Sequence, residues 1–216
     1  IISGGSKGIG LDIVNYLLKK DYKVLCLSRT RPKLNNNNLF FLKIDMSLRS
    51  NITKNKKKII SFNPNLLINN SANIGEVGLL EKINVEKWEK SFFLNFFSHV
   101  HLTSILLKKI KKNKGDIIFM TGGGAANAFP GFSAYSVAKT AIVRLVENIA
   151  EETKKIGCYA ISPGPVKTDL LDTFLINGHN LNSTKLIGST MCIKLINFLH
   201  KQKNKRFNGR YIHALD

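Results

Sequence analysis

Short apolar runs alternate along the chain with longer segments whose apolar residues recur at helical spacing. Ile13, Val14, Leu17 and Leu18 follow one such spacing, since residues three and four apart share one face of an α-helix. The runs are too short for helices and lack a regular polar face, as is typical of strands buried in a parallel sheet. The pattern predicts strands at residues 1–3, 24–27, 39–44, 66–68, 116–120, 159–161 and near 210–213. It predicts helices after residue 10 and over residues 48–62, 86–112, 134–152 and 184–201.

This alternation of strands and helices predicts an α/β fold. We expect a single doubly wound, Rossmann-type domain over residues 1–216, with a mostly parallel seven-stranded sheet and helices on both faces. The length agrees with this prediction, because 216 residues suffice for one sizeable core but not for two ordinary domains. No internal repeat or linker divides the sequence.

Composition narrows the class of protein. Apolar residues make up 44% of the chain, and the most apolar stretch, residues 92–107, contains Asn95, His99, His101 and Thr103. We therefore expect no membrane span and, because the start lacks a basic segment followed by an apolar one, no signal peptide. The three cysteines are far apart and match no metal or redox spacing, which favours a reducing, cytoplasmic location.

The net charge of +19 raises the question of nucleic-acid binding. The lysines are scattered, however, with only small clusters at residues 54–58 and 108–114 and few aromatic neighbours. Asn, Ile and Lys are all abundant, which indicates a bias across the whole sequence. We therefore expect a solvated basic surface rather than a nucleic-acid site, with a polyanion site as the alternative.

Unusual turns follow the predicted strands, at the edge where ligands bind to an open parallel sheet. The first turn, residues 3–10, is rich in glycine and leads directly from a strand into a helix. Glycines let the backbone approach a pyrophosphate, and the helix N-terminus supplies free N–H groups and partial positive charge. The turn predicts a phosphate site, with a tight turn that binds no ligand as the alternative.

The end of the second strand indicates which nucleotide binds. Enzymes that use NAD usually have a carboxylate there for the ribose 2′-hydroxyl, whereas this chain has Ser28 and Arg29. A guanidinium suits a 2′-phosphate, and Lys7 in the glycine turn adds a second cation. We expect NADP rather than NAD, with ordinary surface charge as the alternative interpretation of Arg29.

Tyr135 and Lys139 lie four residues apart in the sequence Ser-Ala-Tyr-Ser-Val-Ala-Lys. On a helix such residues share a face, so the ammonium lies near the phenol. The positive charge favours phenolate and should lower the pKa of the tyrosine from its usual value of about 10. The pair predicts a proton-transferring group, although the same spacing also occurs on ordinary surface helices.

With these motifs in this order, the chain resembles the short-chain dehydrogenases/reductases over nearly its whole length. Residues 3–10 resemble that family's T-G-x-x-x-G-I-G cofactor turn, and residues 69–72 resemble its N-N-A-G motif. Asp45 resembles the aspartate that meets the adenine, and residues 163–168 resemble the P-G-x-V-x-T segment around the nicotinamide. Tyr135 and Lys139 resemble the family's Y-x-x-x-K pair.

The resemblance implies an oxidoreductase that transfers a hydride between NADP(H) and a small or medium-sized alcohol or ketone, as a homodimer or homotetramer. It implies that Tyr135 is the general acid/base, that Lys139 lowers the pKa of Tyr135 and holds the nicotinamide ribose, and that Asn95 fixes a water that relays protons to Lys139. It places the cofactor against Gly4, Ser6, Lys7, Gly8, Ile9, Gly10, Ser28, Arg29, Asp45, Asn70, Ser71, Ala72, Tyr135, Lys139, Pro163, Gly164, Val166 and Thr168.

One position departs from the family's pattern. The family has a serine thirteen residues before the tyrosine, where its hydroxyl polarises the substrate carbonyl, but that position here is Gly122, in a Gly-Gly-Gly run also known in bacterial members. Three interpretations remain open. Thr121 takes the role, or the substrate or backbone N–H groups polarise the carbonyl, or activity is weak or absent. The last makes the protein a catalytically impaired nucleotide-binding or regulatory protein with this fold.

The other conspicuous residues have structural interpretations. We expect His99 and His101 to face the surface or a subunit interface without a metal, and Ser133 to cap the helix that carries Tyr135. Residues 169–183 follow the nicotinamide segment and are expected to form a substrate lid. Aromatic residues of the longest helix are expected to serve in packing: Trp88, Phe92, Phe93, Phe96 and Phe97.

Overall fold

The computed structural model describes residues 1–180, 185–202 and 204–216, and its strands form one seven-stranded sheet. The strands are β1 (Ile2–Ser3), β2 (Val24–Ser28), β3 (Leu39–Lys43), β4 (Leu66–Asn69), β5 (Asp116–Met120), β6 (Gly157–Ser162) and β7 (Tyr211–His213). They lie in the order β3-β2-β1-β4-β5-β6-β7, and every pair of neighbours is parallel. The predicted α/β, doubly wound, Rossmann-type fold is confirmed.

Helices cover both faces of this sheet. In the described part of the chain they are α1 (Gly8–Leu18), α2 (Arg49–Lys54), α3 (Lys56–Ser61), α4 (Val85–Phe92), α5 (Ser98–Lys112), α6 (Ser133–Glu152), α7 (Asp169–Ile176) and α8 (Thr190–Lys201). Apolar residues of α1 and α8 pack in one core cluster, whereas those of α2, α3, α5 and α6 pack in another. The two clusters lie on opposite faces of the sheet.

Alternation along the central strands supplies both clusters. In β5, Ile117 and Phe119 belong to the cluster under α5 and α6, whereas Ile118 and Met120 belong to the cluster under α1 and α8. Successive strand side chains point to opposite faces, so a strand covered on both sides is apolar throughout. This burial explains why the strands were recognisable as continuous apolar runs.

The strand order reverses between β1 and β4, which are neighbours in the sheet. The chain leaves these strands at the same edge, one towards α1 and the other towards residues 70–73. Connections that diverge at such a point leave a crevice beyond the carboxyl ends of the strands. The fold therefore provides a cleft at the turns that the sequence singled out.

The predicted helix over residues 86–112 is one continuous helical segment from Val85 to Lys112, but it is not α-helical throughout. Phe93–Phe97 form a π-helical stretch between α4 and α5. A π-bulge widens the helix by one residue in a turn and is frequent at functional sites. Asn95 lies in the middle of this stretch.

Two predicted helices have different bounds in the structure. The helix predicted over residues 48–62 is divided into α2 and α3 at Asn55, whose side-chain amide donates to the carbonyl of Asn51. Asn competes with the backbone for such bonds, and the adjacent lysines repel one another. The helix predicted from residue 184 begins at Thr190, because Ile187 pairs with Val166 and its N–H donates to Pro165. Residue 184 itself lies outside the described residues.

A buried carboxylate, Asp116, lies at the amino end of β5, away from the cleft. It holds the segment that contains His200 and Lys205. Asp116 accepts hydrogen bonds from the Lys205 ammonium at 2.6 Å and the Gly157 N–H at 3.0 Å, and His200 Nδ1 lies 2.7 Å from its other oxygen. The Asp116 side chain is only 1% exposed. We call Asp116, His200 and Lys205 the Asp116 clamp. It fixes α8 and the following turn to the centre of the sheet.

The three cysteines, Cys26, Cys158 and Cys192, are buried and free. Crossing a membrane would require a longer or more apolar helix than any in the described residues. Both observations concern the described part of the chain alone.

Candidate active site

Two adjoining cavities occupy the cleft at the carboxyl edge of the sheet. The tyrosine cavity, about 340 Å³, is lined by Tyr135, Lys139 and Thr121 among others. The glycine-turn cavity, about 550 Å³, is lined by the turn after β1 and the ends of β2 and β3. Ile9, Asn70, Ala72, Thr168 and Leu170 line both. Every residue that the sequence assigned to the cofactor lines at least one of them: Gly4, Ser6, Lys7, Gly8, Ile9, Gly10, Ser28, Arg29, Asp45, Asn70, Ser71, Ala72, Tyr135, Lys139, Pro163, Gly164, Val166 and Thr168.

The glycine turn is held against the segment after β4. The Asn70 side-chain amide donates to the carbonyls of Ser3 at 3.2 Å and Gly4 at 2.9 Å, and Ser3 Oγ accepts from the backbone N–H of Asn70 and Ser71. A side chain at Gly10 would collide with the Gly4 carbonyl and the Asn70 amide, and Gly4 has a φ of +68°. Glycine is therefore required at both positions, because the backbones meet here without room for a Cβ.

The glycine-turn cavity has cations at one end. Arg29 is exposed beyond β2, next to Asp45 after β3. Partial burial alone would raise the pKa of Asp45, but hydrogen bonds from Ser47 and the charge of Arg29 lower it overall. Lys7 Nζ lies 2.6 Å from a carboxylate oxygen of Asp169, so an exposed ion pair joins the glycine turn to the start of α7.

The Tyr135 ring lies on the first turn of α6, between α7 and the end of β5. It packs edge-to-face against Phe174, with ring centroids 4.9 Å apart. Lys139 is 1% exposed; its ammonium donates to the Met120 carbonyl at 2.9 Å and lies 5.5 Å from the centroid of the Tyr135 ring. The pair shares one helix face, as the spacing predicts.

The electrostatics of this pair differ from the prediction. Burial raises the pKa of Tyr135 above its usual value, with a smaller contribution from Tyr211, instead of the fall expected from the neighbouring lysine. Burial also lowers the pKa of Lys139 to about 7. The prediction considered charge alone, but removing both groups from water disfavours phenolate and ammonium alike. The expected lowering of the Tyr135 pKa is wrong for this structure.

Gly122, the position that the resemblance assigns to a serine, lies directly beneath the Tyr135 hydroxyl. A side-chain carbon built at Gly122 would overlap that hydroxyl. Thr121 extends the ladder of β5, since its N–H donates to the Ile161 carbonyl at 2.8 Å. The Thr121 hydroxyl is buried and has no hydrogen-bond partner among the described residues, so it does not bond to Tyr135.

The long helix and the segment after β4 are joined by three side-chain contacts, which we call the polar ladder. Asn95 exchanges hydrogen bonds with the backbone of Asn73, donating to its carbonyl at 3.0 Å and accepting from its N–H at 3.1 Å. His99 Nε2 lies 2.9 Å from the Ser71 carbonyl, and the Asn69 amide donates to Thr103 Oγ1 at 3.0 Å. Asn95 is buried behind the cleft wall and lines neither cavity.

His99 is fully buried, so the prediction that it faces the surface or an interface is wrong. Burial, helped by the nearby charge of Lys139, lowers the pKa of His99 to about 3. The neutral ring carries its proton on Nε2, because the Ser71 carbonyl can only accept. His101 is partly exposed, and partial burial together with Arg49 and Lys56 lowers its pKa.

The predicted cap of α6 is also wrong. Phe132 occupies the N-cap position, and Ser133 is the first helical residue. The Ser133 hydroxyl instead accepts from the Trp88 indole at 3.0 Å, while Trp88 stacks on Phe92 with ring centroids 5.2 Å apart. These contacts agree with a packing role for Trp88 and Phe92, whereas Phe97 is 50% exposed.

The described part of the predicted lid, residues 169–180, contributes to the lining of the tyrosine cavity, whereas residues 181–183 lie outside the described residues. Sequence reasoning did not recognise the aromatic side of this cavity. Phe129, Phe174 and His179 line it together, and we call these three residues the aromatic wall. Phe129 and His179 have ring centroids 4.5 Å apart, and Phe174 lies within 6.1 Å of both. The wall combines residues from separate loops and from α7. No periodicity connects such positions, and the only available signal was the aromatic residues that flank the glycine run and the lid.

Known proteins share the sequence pattern and the fold of this chain. Residues 1–175 match the family model described as short chain dehydrogenase. An uncharacterized oxidoreductase of Schizosaccharomyces pombe is 27% identical over 235 residues, covering 98% of this chain and 94% of that protein. A benzil reductase of Bacillus cereus, described as (S)-benzoin forming, is 29% identical over 189 residues, covering 79% and 76%. A solved structure described as ElxO with NADP bound is 25% identical with a TM-score of 0.84, covering 99% and 95%.

Proposed function

This chain belongs to the short-chain dehydrogenase family, and from that membership we propose that it transfers a hydride between NADP(H) and a small or medium-sized alcohol or ketone. The observation that carries the proposal is the position of Tyr135 and Lys139 in a cavity that adjoins the glycine turn. A proton donor and a dinucleotide cradle thus open into the same cleft. Relatives named as oxidoreductases support an enzymatic role.

In the proposed reaction Tyr135 acts as a general acid. Because its pKa is raised, the phenol keeps its proton at working pH and can give it to the substrate oxygen as the carbonyl carbon gains a hydride. The Lys139 cation, beside the ring, stabilises the phenolate that remains. Asn95 holds the wall behind this pair through Asn73, and we propose that it orders a proton-relaying water there.

The residues of the cleft fit a nicotinamide dinucleotide. Gly4 and Gly10 hold the turn tightly against residues 70 and 71, and the turn leads into the N-terminus of α1, which suits a pyrophosphate. Residues 163–166 and Thr168 line the tyrosine cavity and would hold the nicotinamide end, while Asp45 and residues 70–72 would hold the adenine end and the ribose. When bound, the cofactor supplies the hydride.

We favour NADP over NAD because Arg29 lies at the end of β2 and no carboxylate occupies that position. The guanidinium suits the charge and shape of a 2′-phosphate. Lys7 is less available than its sequence position implied, since it pairs with Asp169. The NADP-bound relative in fold, ElxO, supports the same choice.

The missing serine leaves the carbonyl to be polarised by other groups. Thr121 can serve if its unpartnered hydroxyl turns towards the cavity that it lines. Backbone N–H groups of the glycine run are the second candidate, since Gly122 and Gly123 also line the cavity. The lack of a bond between Thr121 and Tyr135 favours a second candidate function, a nucleotide-binding or regulatory protein with impaired turnover.

The proposed assembly is a homodimer or homotetramer formed through the long helix and α6. Phe97 and Val137 on these helices are 50% and 48% exposed. Burying such residues against a second copy removes apolar surface from water. The buried free cysteines support the proposed cytoplasmic location.

The test is NADPH oxidation over a panel of ketones that includes benzil, with wild type and Tyr135→Phe compared. We expect wild-type turnover and a loss of about 100-fold or more in kcat for the variant, with NADPH binding retained. Tyr16→Phe, on α1 and outside both cavities, is the matched control. Intact NADPH binding without turnover of any ketone would contradict the enzyme and favour the impaired protein. A preference for NADH would contradict the choice of NADP.

A further inference from the structure

We infer that the tyrosine cavity selects uncharged ketones whose carbonyl carbon bears one aromatic ring, which the aromatic wall holds. This inference rests on the proposed function and adds a substrate class to it. It is carried by the composition of the cavity beside Tyr135, where Phe129, Phe174 and His179 face the reacting end of the cleft. The reaction itself remains the reduction described above.

The aromatic wall is in direct contact with the ring of Tyr135, the proposed acid. Phe174 meets Tyr135 edge-to-face, with an interplanar angle of 79°, and meets Phe129 in the same way at 86°. His179 lies across both phenylalanines, 4.5 Å from Phe129 and 5.6 Å from Phe174 between ring centroids. Aromatic rings prefer offset or edge-to-face partners, so these rings offer an aryl group favourable contacts that a saturated ring cannot match.

The C-terminal end of α7 fixes the positions of Phe174 and His179 in the aromatic wall. Phe174 is buried on the inner side of the helix, while Ile176, two residues later, is 84% exposed. The His179 N–H donates to the Phe174 carbonyl at 3.0 Å, which brings the imidazole back over the phenylalanine that it follows. The wall is thus held by backbone geometry as well as by ring contacts.

The described lining of the cavity offers an acidic substrate no arginine and one lysine, which is already engaged. Among the described lining residues, the titratable groups are Tyr135, Lys139, His179 and His213, and none is an arginine. Lys139 is buried, donates to Met120 and lies against the Tyr135 ring. A carboxylate on the far side of a substrate ring would therefore lie among aromatic groups without a fixed cation, which is costly.

The size of the cavity suits a substrate with one ring near the carbonyl. The whole tyrosine cavity measures about 340 Å³, near the lower end of the range for small-molecule sites. Residues 163–166 and Thr168, proposed to hold the nicotinamide, line part of the same volume. The remainder suits a phenyl ketone better than a fused ring system or a long chain.

The test compares two ketones of similar size that differ in the ring alone, acetophenone and cyclohexyl methyl ketone. With saturating NADPH, we expect a kcat/KM for acetophenone at least tenfold above that for cyclohexyl methyl ketone. Phe129→Leu and Phe174→Leu should each reduce this preference by roughly 3- to 10-fold, as expected for the loss of one aromatic contact. We expect 4-acetylbenzoate, which adds a carboxylate to the acetophenone ring, to react at least tenfold more slowly than acetophenone.

The matched control is Phe198→Leu, which makes the same change at a ring on α8 that is 47% exposed and outside both cavities. It should leave the preference unchanged. Phe129 is only half-buried, so its variant remains informative if Phe174→Leu weakens folding. Turnover without an aryl preference, or an aryl preference that survives both wall variants, overturns the inference but leaves the proposed function intact. No turnover of any ketone overturns both.

Discussion

At the scale of single residues, the Tyr135 hydroxyl occupies the space directly above Gly122. The glycine at this position lacks the hydroxyl of a serine, and it also leaves space for the Tyr135 hydroxyl. A side chain at residue 122 would need the same space. The ring is also confined by Phe174 and by Lys139. The position of the Tyr135 hydroxyl therefore depends on the absence of a side chain at residue 122.

This dependence predicts that Gly122→Ser lowers activity instead of restoring it. The new Cβ must displace the Tyr135 hydroxyl, and a misplacement of about 1 Å can cost on the order of 100-fold in rate. We expect kcat to fall about 10- to 100-fold while the Kd for NADPH changes little. Gly188→Ser is the control, since a Cβ there meets nothing closer than 4.0 Å. A kcat equal to or above wild type would show that the serine fits beside the tyrosine.

Lys139 predicts a pH dependence for ketone reduction. Its pKa of about 7 means that the ammonium loses its proton, and with it the stabilisation of the phenolate, as pH rises through 7. We expect kcat/KM to be level below about pH 6.5 and to fall at higher pH. His99 and Tyr135 do not titrate in this window, because His99 has a pKa of about 3 and that of Tyr135 is raised.

The measurement is a profile of kcat/KM from pH 5.5 to 9 with wild type and Lys139→Met. The variant should be slower and should lose the decline above pH 7, since it has no ammonium to deprotonate. A wild-type profile that stays level to pH 9 would contradict this account of the lysine.

Much of the lining of the cleft could be predicted residue by residue, because parallel strands bring their carboxyl-end turns to one edge. The positions assigned to the cofactor all line the cleft for that reason. The pKa of Tyr135 and the burial of His99 could not be predicted. Both depend on how much water the packed chain excludes, which the spacing of a motif does not report.

At the scale of elements, the existence and type of the strands and of the longer helices could be predicted, but their boundaries could not. The long helices and the buried strands have repeating apolar patterns, whereas the break at Asn55 arises from one side chain that bonds to the backbone. The start of α8 at Thr190 depends on the pairing of Ile187 with Val166, a contact between distant segments. The π-helical stretch at Phe93–Phe97 has no periodic signature of its own.

At the scale of the whole molecule, the Asp116 clamp joins parts of the chain that are 84 and 89 residues apart. It lies at the amino end of β5, whereas the cleft lies at the carboxyl end. The candidate active site and the Asp116 clamp thus lie at opposite edges of the sheet. That one domain spans residues 1–216 stays a prediction.

The clamp predicts that Asp116→Asn lowers the free energy of unfolding by about 2–4 kcal/mol. The substitution leaves His200 and Lys205 without a carboxylate, and their side chains are only 14% and 16% exposed. The midpoint of urea unfolding should fall with an unchanged m-value. Asp12→Asn is the control, because Asp12 is exposed and its bond to Ser189 lies at the surface. A change below about 0.5 kcal/mol would rule out an anchoring role.

The polar ladder has a consequence for the length of the chain. Its helix residues, Asn95, His99 and Thr103, recur every fourth position, and their partners recur every second position in residues 69–73. Four helical residues rise about 6 Å and two extended residues about 6.6 Å, so the two repeats coincide. One inserted or deleted residue in this segment would misalign the remaining contacts and turn its cleft-facing side chains away. Evolution can therefore exchange residues here, but it cannot change their number.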